Sequence, residues 1–147
     1  MRRIVPVLVA AVLALTFGTS FAATHAKSTH APAIGGYCPV AYVAMNKAVK
    51  GDPKFSATAA GHRYLFSDAD AKKMFVMDPA KYQVAYDGWC ATAISMGKKL
   101  KSDPTLFTVQ GGRTYLFSNA DAKKAFDAMP DGVIQKADAQ WAALAAK

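Results

Sequence analysis

The chain has 147 residues, a formal net charge of +8 and a hydrophobic fraction of 52%. This length suits one compact domain that buries a core of its own. The charge comes mostly from lysines without interleaved arginines. That pattern is typical of a solvated surface, so we expect no nucleic-acid partner.

The amino terminus predicts a secretory signal peptide over residues 1–22. Arg2 and Arg3 precede an uncharged apolar run over 4–17, and small residues stand just before the cleavage point. A membrane anchor is the alternative, but the run is shorter than the roughly twenty residues that span a bilayer. We therefore expect a periplasmic or secreted protein with no membrane span after cleavage. Loss of the two arginines lowers the charge from +8 to +6.

Residues 23–35 are small and polar and show no periodicity, which predicts a flexible leader. His25 and His30 lie in this leader. Because nothing there fixes their geometry, we interpret both as incidental rather than as metal ligands.

The rest of the chain contains an internal repeat. YLFSDADAKKMF at 64–75 matches YLFSNADAKKAF at 115–126 in ten of twelve positions, at an offset of 51. Over the wider segments 52–79 and 103–130, 14 of 28 residues are identical at the same offset. Agreement of this extent indicates a tandem duplication.

The repeat sets the domain organisation. Upstream of the matched segments, Gly-Tyr-Cys in the first unit corresponds to Gly-Trp-Cys in the second at an offset of 52. We therefore predict a single domain over 36–145 that is made of two repeats, 36–87 and 88–145.

Both units predict the same order of elements. Ala, Met and Ile with few breakers predict a helix after each cysteine. Two β-prone runs across a glycine turn predict a hairpin. A serine followed three residues later by an aspartate predicts a capped second helix, which ends before a proline. The predicted ranges are 39–48, 55–59, 63–66 and a helix that starts at Ser67 and ends before Pro79 in the first unit, and 90–99, 106–109, 114–117 and a helix that starts at Ser118 and ends before Pro130 in the second.

A last helix is predicted over 133–145, where apolar residues recur at helical spacing. The predicted fold class is therefore α+β. It consists of two tandem helix–hairpin–helix units whose hairpins pair into one small antiparallel sheet covered by helices. A lone hairpin is marginally stable in water, which is a physical reason for the two units to dock.

Cys38 and Cys90 occupy equivalent places in the two units. If a pseudo-twofold axis relates the units and passes near these residues, an oxidising compartment favours a disulfide between them. Closing a loop of this size stabilises a protein by roughly 4 kcal/mol in the chain-entropy model. Two separately buried thiols, and a metal-binding or redox pair, are the alternatives. No C-x-x-C motif supports a thioredoxin-like or zinc site.

Met45 and Met96 are matched between the repeats and follow the two cysteines by about two helical turns. Thiolate and thioether sulfurs are the ligands that copper(I) prefers, so Cys38, Cys90, Met45 and Met96 form a candidate soft-metal site. Core packing is the alternative for the methionines, and we favour it.

The other residues with chemical potential are interpreted as structural. His62 lies at a hairpin turn and has Arg113 as its counterpart, which indicates exposure. Tyr37 and Trp89 flank the cysteines, and we favour packing over the lining of a cleft. Because no catalytic triad, phosphate-binding glycine loop or paired carboxylates are present, we do not expect an enzyme. The remaining repeat-matched aromatics are predicted to form the core: Tyr64, Phe66, Phe75, Tyr115, Phe117 and Phe126.

The segments GYCPVAY, GDPKFS, GHRYLFSDADAKKMF, YDGWCATAISMGKK and DPTLFTVQGGRTYLFS follow one another within 36–145. In this order they resemble exported bacterial YHS domain-containing proteins. The resemblance implies a small α+β domain with no established enzymatic activity. YHS domains also occur attached to proteins that handle copper and other heavy metals, which implies an association with metal. Metal-associated members carry Cys or His where this chain has Ser67 and Ser118, and a further Cys where it has Ala71 and Ala122, so the implied metal role requires Cys38 and Cys90 to replace these ligands.

The sequence therefore favours a non-catalytic exported module that binds a small ligand, a transition metal such as copper, or a protein partner. The first alternative is a structural or protein-interaction module that is stabilised by a disulfide and holds no metal. The second is a thiol redox protein.

Overall fold

The computed structural model describes residues 31–146. The predicted signal peptide and the leader up to residue 30, with His25 and His30, lie outside this range. Two short 3-10 turns stand at equivalent places, a first turn at Ala33–Gly36 and a second turn at Ala85–Gly88. The other elements are helices α1 (Pro39–Met45), α2 (Ala69–Met77), α3 (Pro79–Tyr82), α4 (Ala91–Ser95), α5 (Ala120–Ala128) and α6 (Pro130–Ala145), and strands β1 (Asp52–Ala59), β2 (His62–Phe66), β3 (Asp103–Gln110) and β4 (Arg113–Phe117).

The order of elements confirms an α+β fold with two similar helix–hairpin–helix halves, which we call the first half (31–84) and the second half (85–146). The repeat begins earlier than the sequence indicated. The first turn belongs to the first half as the second turn belongs to the second, so the last residues of the predicted leader are part of the folded unit.

Each half contains one antiparallel hairpin with a bulge near the start of its first strand. Ala60-Gly61 and Gly111-Gly112 form the turns, and all four residues have positive φ. Positive φ at both central residues matches the right-handed twist of the flanking strands. The hairpins form two separate two-stranded sheets, so the expected pairing into a single sheet is wrong.

The second helix of each half begins one residue later than predicted. Asp68 and Asn119, not Ser67 and Ser118, are the N-cap residues. The Asp68 carboxylate accepts from the Ala71 N–H at 2.7 Å, and the Asn119 side chain accepts from the Ala122 N–H at 2.8 Å. Two adjacent residues able to cap made this position ambiguous, and the residue with extended backbone directly before the helix takes the role.

Each half has its own core, and a third cluster joins the halves. The aromatic residues predicted to be buried are buried, and in each half the rings of the hairpin pack on a ring of the helix that follows it. The second half carries the long helix α6, which covers α4, whereas the four-residue α3 stands at the equivalent place in the first half. The joining cluster has a buried centre of Tyr42, Val84 and Leu116, against which Ile34, Tyr37, Ala48, Phe107 and Val109 pack.

No helix within residues 31–146 is long and apolar enough to cross a membrane.

Candidate functional site

A cleft of about 340 Å³ opens where the two halves meet. Both turns contribute to its walls, together with the residues that immediately follow the turns and the segments that lead into β1 and β3. A volume of this size falls at the lower end of the range for small-molecule sites. The lining residues are Ile34, Gly35, Tyr37, Lys50, Asp87, Gly88, Trp89, Lys101, Ser102 and Pro104.

Both turns hold residues other than glycine in the left-handed region. Ile34 has a φ of 48°, and Tyr86 and Asp87 have φ values of 53° and 52°. Each such residue costs roughly 1–2 kcal/mol relative to a right-handed conformation, and the cost is highest for a β-branched side chain such as that of Ile34. Strained backbone persists only where the surrounding structure over-determines it, and it concentrates at functional sites. Three of the five residues other than glycine that have positive φ among residues 31–146 therefore lie in the two turns that form the cleft.

The two turns pack directly against each other. A Cβ on Gly88 would lie 3.1 Å from Cγ2 of Ile34, and a Cβ on Gly35 would lie 3.3 Å from Cγ of Pro104. Nearby, the Tyr42 hydroxyl donates to the Pro104 carbonyl oxygen at 2.8 Å. Both glycines therefore allow a close approach that fixes the width of the cleft at its base.

The first half contributes an aromatic ring that its own lysine covers. Lys50 donates from Nζ to the Gly35 carbonyl oxygen at 2.9 Å. The same ammonium group lies 4.1 Å from the centre of the Tyr37 ring, within the range of a cation–π interaction. A backbone bridge between Tyr37 and Lys50 sets the two side chains beside each other.

The second half contributes the same pair of residue types in a different state. Trp89 and Lys101 share the equivalent backbone bridge. Within residues 31–146, Lys101 makes no side-chain hydrogen bond or ion pair, and no cation lies over the Trp89 ring. Asp87, which takes the place of Gly35, is exposed and forms no ion pair in the same part of the chain. This half of the cleft therefore presents an ammonium, a carboxylate and an indole that are available to a ligand.

Helix α6 supports the second turn from behind. The Tyr86 hydroxyl donates to Oδ1 of Asp138 at 2.9 Å, and the same carboxylate oxygen lies 3.5 Å from a guanidinium nitrogen of Arg113. The Arg113 guanidinium lies 5.1 Å from the centre of the Tyr86 ring. Burial, followed by the hydrogen bond to Asp138, raises the pKa of Tyr86 above its ordinary value. These contacts hold Tyr86 in a left-handed conformation that its residue type disfavours.

Cys38 and Cys90 lie in different cores and are not joined. Both are free thiols, 0% and 1% exposed. Cys38 belongs to the core of the first half, where its Sγ lies 3.8 Å from the Ser67 hydroxyl oxygen, and Cys90 belongs to the core of the second. The expected disulfide is therefore not formed in this structure. The reason is that the turn before each cysteine, not the cysteine itself, faces the other half.

Met45 and Met96 are 51% and 62% exposed, so the expectation that they fill the core is wrong. Each stands at the carboxyl end of its helix, in solvent, while the cysteines are enclosed. The described residues contain no group of three or more His, Cys, Asp or Glu side chains placed to hold a metal ion. The arrangement gives no support to a copper site built from these four residues.

Sequence reasoning missed the two cleft lysines, although a signal for them was present. Lys50 and Lys101 match at the repeat offset of 51 and precede the matched Asp-Pro pairs. Tyr37 packs in part against the joining cluster and Trp89 in part against the core of the second half, as favoured, and both also line the cleft, which was the less favoured expectation. His62 is exposed, as predicted.

Comparisons with known proteins do not extend this picture: the chain matches no protein-family model, no curated protein and no solved structure.

Proposed function

We propose that this protein is a non-catalytic binding module whose ligand is a small organic anion held in the cleft between the two halves. The observation that carries the proposal is the pairing, repeated in both halves, of an aromatic ring with a lysine at the mouth of a strained turn. A duplicated element that served only to stabilise the fold would require neither the strained turns nor the lysines beside the aromatic rings.

The charges of the cleft favour an anion. Lys50 and Lys101 contribute two positive charges against the single negative charge of Asp87 among the lining residues. Positive potential inside a concave surface concentrates anions and speeds their association. The rings of Tyr37 and Trp89 add flat apolar area, which favours an organic ligand over an inorganic ion.

Three hypotheses drawn from the sequence, a metal site, a disulfide and a thiol redox pair, place the cysteines at the centre of function. A metal site requires sulfur atoms that reach a metal ion, a structural disulfide requires sulfur atoms that reach each other, and a redox pair requires sulfur atoms that reach a partner in solution. Cys38 and Cys90 are enclosed in separate cores. We therefore attach the binding role to the cleft and keep metal association as a separate hypothesis.

The proposal is tested by titrating the purified protein with 3-phenylpropionate and with its neutral analogue 3-phenylpropionamide. The chain has two tryptophans, so Trp141→Phe leaves Trp89 as the sole indole reporter. We expect a saturable change in Trp89 fluorescence with the anion and an affinity about fivefold lower with the amide, as the loss of one exposed ion pair predicts.

Charge variants assign the effect to the cleft. Lys101→Gln weakens binding of the anion to the level of the amide, whereas Lys98→Gln, a change of an exposed lysine of the same half that does not line the cleft, leaves binding unchanged. Equal affinity for the anion and the amide, or equal effects of the two lysine variants, contradicts the proposal.

A further inference from the structure

We infer that the ligand is a zwitterion of the α-amino-acid type with a ring or apolar side chain, bound in the second half of the cleft against Trp89, Asp87 and Lys101. This inference rests on the proposed function, because the carboxylate of the zwitterion is the anionic group that the cleft is proposed to hold.

The first half of the cleft shows what kind of group such a site accepts. There the ammonium of Lys50 lies over the Tyr37 ring and donates to the carbonyl oxygen of Gly35. A primary ammonium thus occupies the space between an aromatic face and the strained turn. The chain supplies that ammonium itself, so this half is closed to a ligand cation.

The second half has the same backbone arrangement, but among the described residues no ammonium group of the chain lies over its aromatic ring. Trp89 replaces Tyr37 and offers the ring type that attracts cations most strongly. Asp87 replaces Gly35 and adds a carboxylate beside the same turn. Since no described cation covers the Trp89 ring or pairs with Asp87, a ligand ammonium would find here an aromatic ring, as the Lys50 ammonium does in the first half, and a carboxylate in addition.

The opposite charge of the ligand has its partner in the same half. Lys101 lines the cleft, and its ammonium is unpaired within the described residues although Asp87 lines the cleft too. Two opposite charges that share one small cleft and do not neutralise each other are complementary to a ligand that carries both signs. The apolar side chains of Ile34 and Pro104 provide the surface for the rest of the ligand.

The test compares three ligands of one shape: L-phenylalanine, 3-phenylpropionate, which lacks the ammonium, and 2-phenylethylamine, which lacks the carboxylate. Backbone amide shifts followed by NMR give the affinities. We expect L-phenylalanine to bind about fivefold more tightly than either analogue, as one lost exposed ion pair predicts. Asp87→Asn, which keeps a residue tolerant of the left-handed conformation, removes the preference over 3-phenylpropionate and leaves the affinity for 3-phenylpropionate unchanged or higher.

The outcomes separate the inference from the proposed function. Equal affinities for L-phenylalanine and 3-phenylpropionate overturn the zwitterion and leave an anion-binding cleft standing. A preference that survives in Asp87→Asn overturns the role of that carboxylate. Tightest binding of 2-phenylethylamine, or no shift of cleft amides with any of the three, overturns the proposed function as well.

Discussion

Replacement of Gly88 by alanine tests whether the two halves meet as closely as the cleft requires. Gly88 has a φ of +83°, and a Cβ there would lie 3.1 Å from Cγ2 of Ile34. Gly61 has nearly the same φ, +78°, with nothing within 4 Å of its Cβ position. The two glycines thus share the backbone cost of a side chain and differ in the crowding.

The expected losses of unfolding free energy follow from this difference. Gly61→Ala should lose about 1–2 kcal/mol, the cost of a left-handed alanine. Gly88→Ala should lose about 1 kcal/mol more, because the added methyl displaces Ile34 and the side chains behind it. Urea denaturation followed by circular dichroism measures both values, and NMR reports whether amides of the first turn shift only in the Gly88 variant.

A double-mutant cycle isolates the contact. Ile34→Ala removes the crowding atom, so the Gly88→Ala change should cost about 1 kcal/mol less in the Ile34→Ala background than in the wild type. If Gly88→Ala and Gly61→Ala cost the same, and the cycle shows no coupling, then the turns do not touch and the cleft as described does not exist.

Three further predictions concern the framework around the cleft. The hydrogen bond from the Ala71 N–H, followed by that from the Ser67 hydroxyl, lowers the pKa of Asp68, so the stabilisation from this charge is present above about pH 4 and is lost as the pH falls through the lowered pKa. Urea denaturation at a series of acidic pH values should show that the wild type loses its stability advantage over Asp68→Asn in that window. A constant difference between the two proteins would refute the prediction. Thiol titration without reductant should find Cys38 and Cys90 unreactive in the folded protein and both reactive in guanidinium, whereas no reactive thiol in guanidinium would reveal a disulfide. Residues 60 and 111 are equivalent turn positions with φ values of 49° and 59°, where Asn and Gly are tolerated better than Ala. Ala60→Asn should therefore stabilise the protein by about 1 kcal/mol, and Gly111→Ala should destabilise it by a similar amount, as measured by thermal unfolding. If both variants shift the stability in the same direction, the turn geometry is wrong.

The sequence predicted the elements of the fold because each has a local cause. The hairpins follow from β-prone runs around Ala60-Gly61 and Gly111-Gly112, and the second helices end at Pro79 and Pro130 because proline cannot continue a helix. The repeat itself was visible as residue identity. Nothing local, however, determines whether two hairpins pair at their edges, and here they do not.

The cleft was out of reach for a different reason. Ile34 and Tyr86 are residue types that disfavour the left-handed region, so no propensity predicts the turns that they form. The cysteines were the most conspicuous matched pair near the expected axis, yet each is drawn into its own core at the start of a helix. The residues that actually meet, Ile34 and Gly88, are inconspicuous in composition and are brought together by tertiary packing alone.

The separation of the two hairpins has a mechanical consequence for the cleft. A continuous β-ladder across the boundary would hold the halves at one spacing, because sliding would break hydrogen bonds in series. Here the boundary consists of apolar side chains around Tyr42 and Leu116, with the Tyr42 hydroxyl bonded to Pro104 at one side. Packed side chains permit small shear displacements that a ladder forbids. Above the base that Gly35 and Gly88 fix, the walls of the cleft can therefore shift slightly to fit ligands of different thickness.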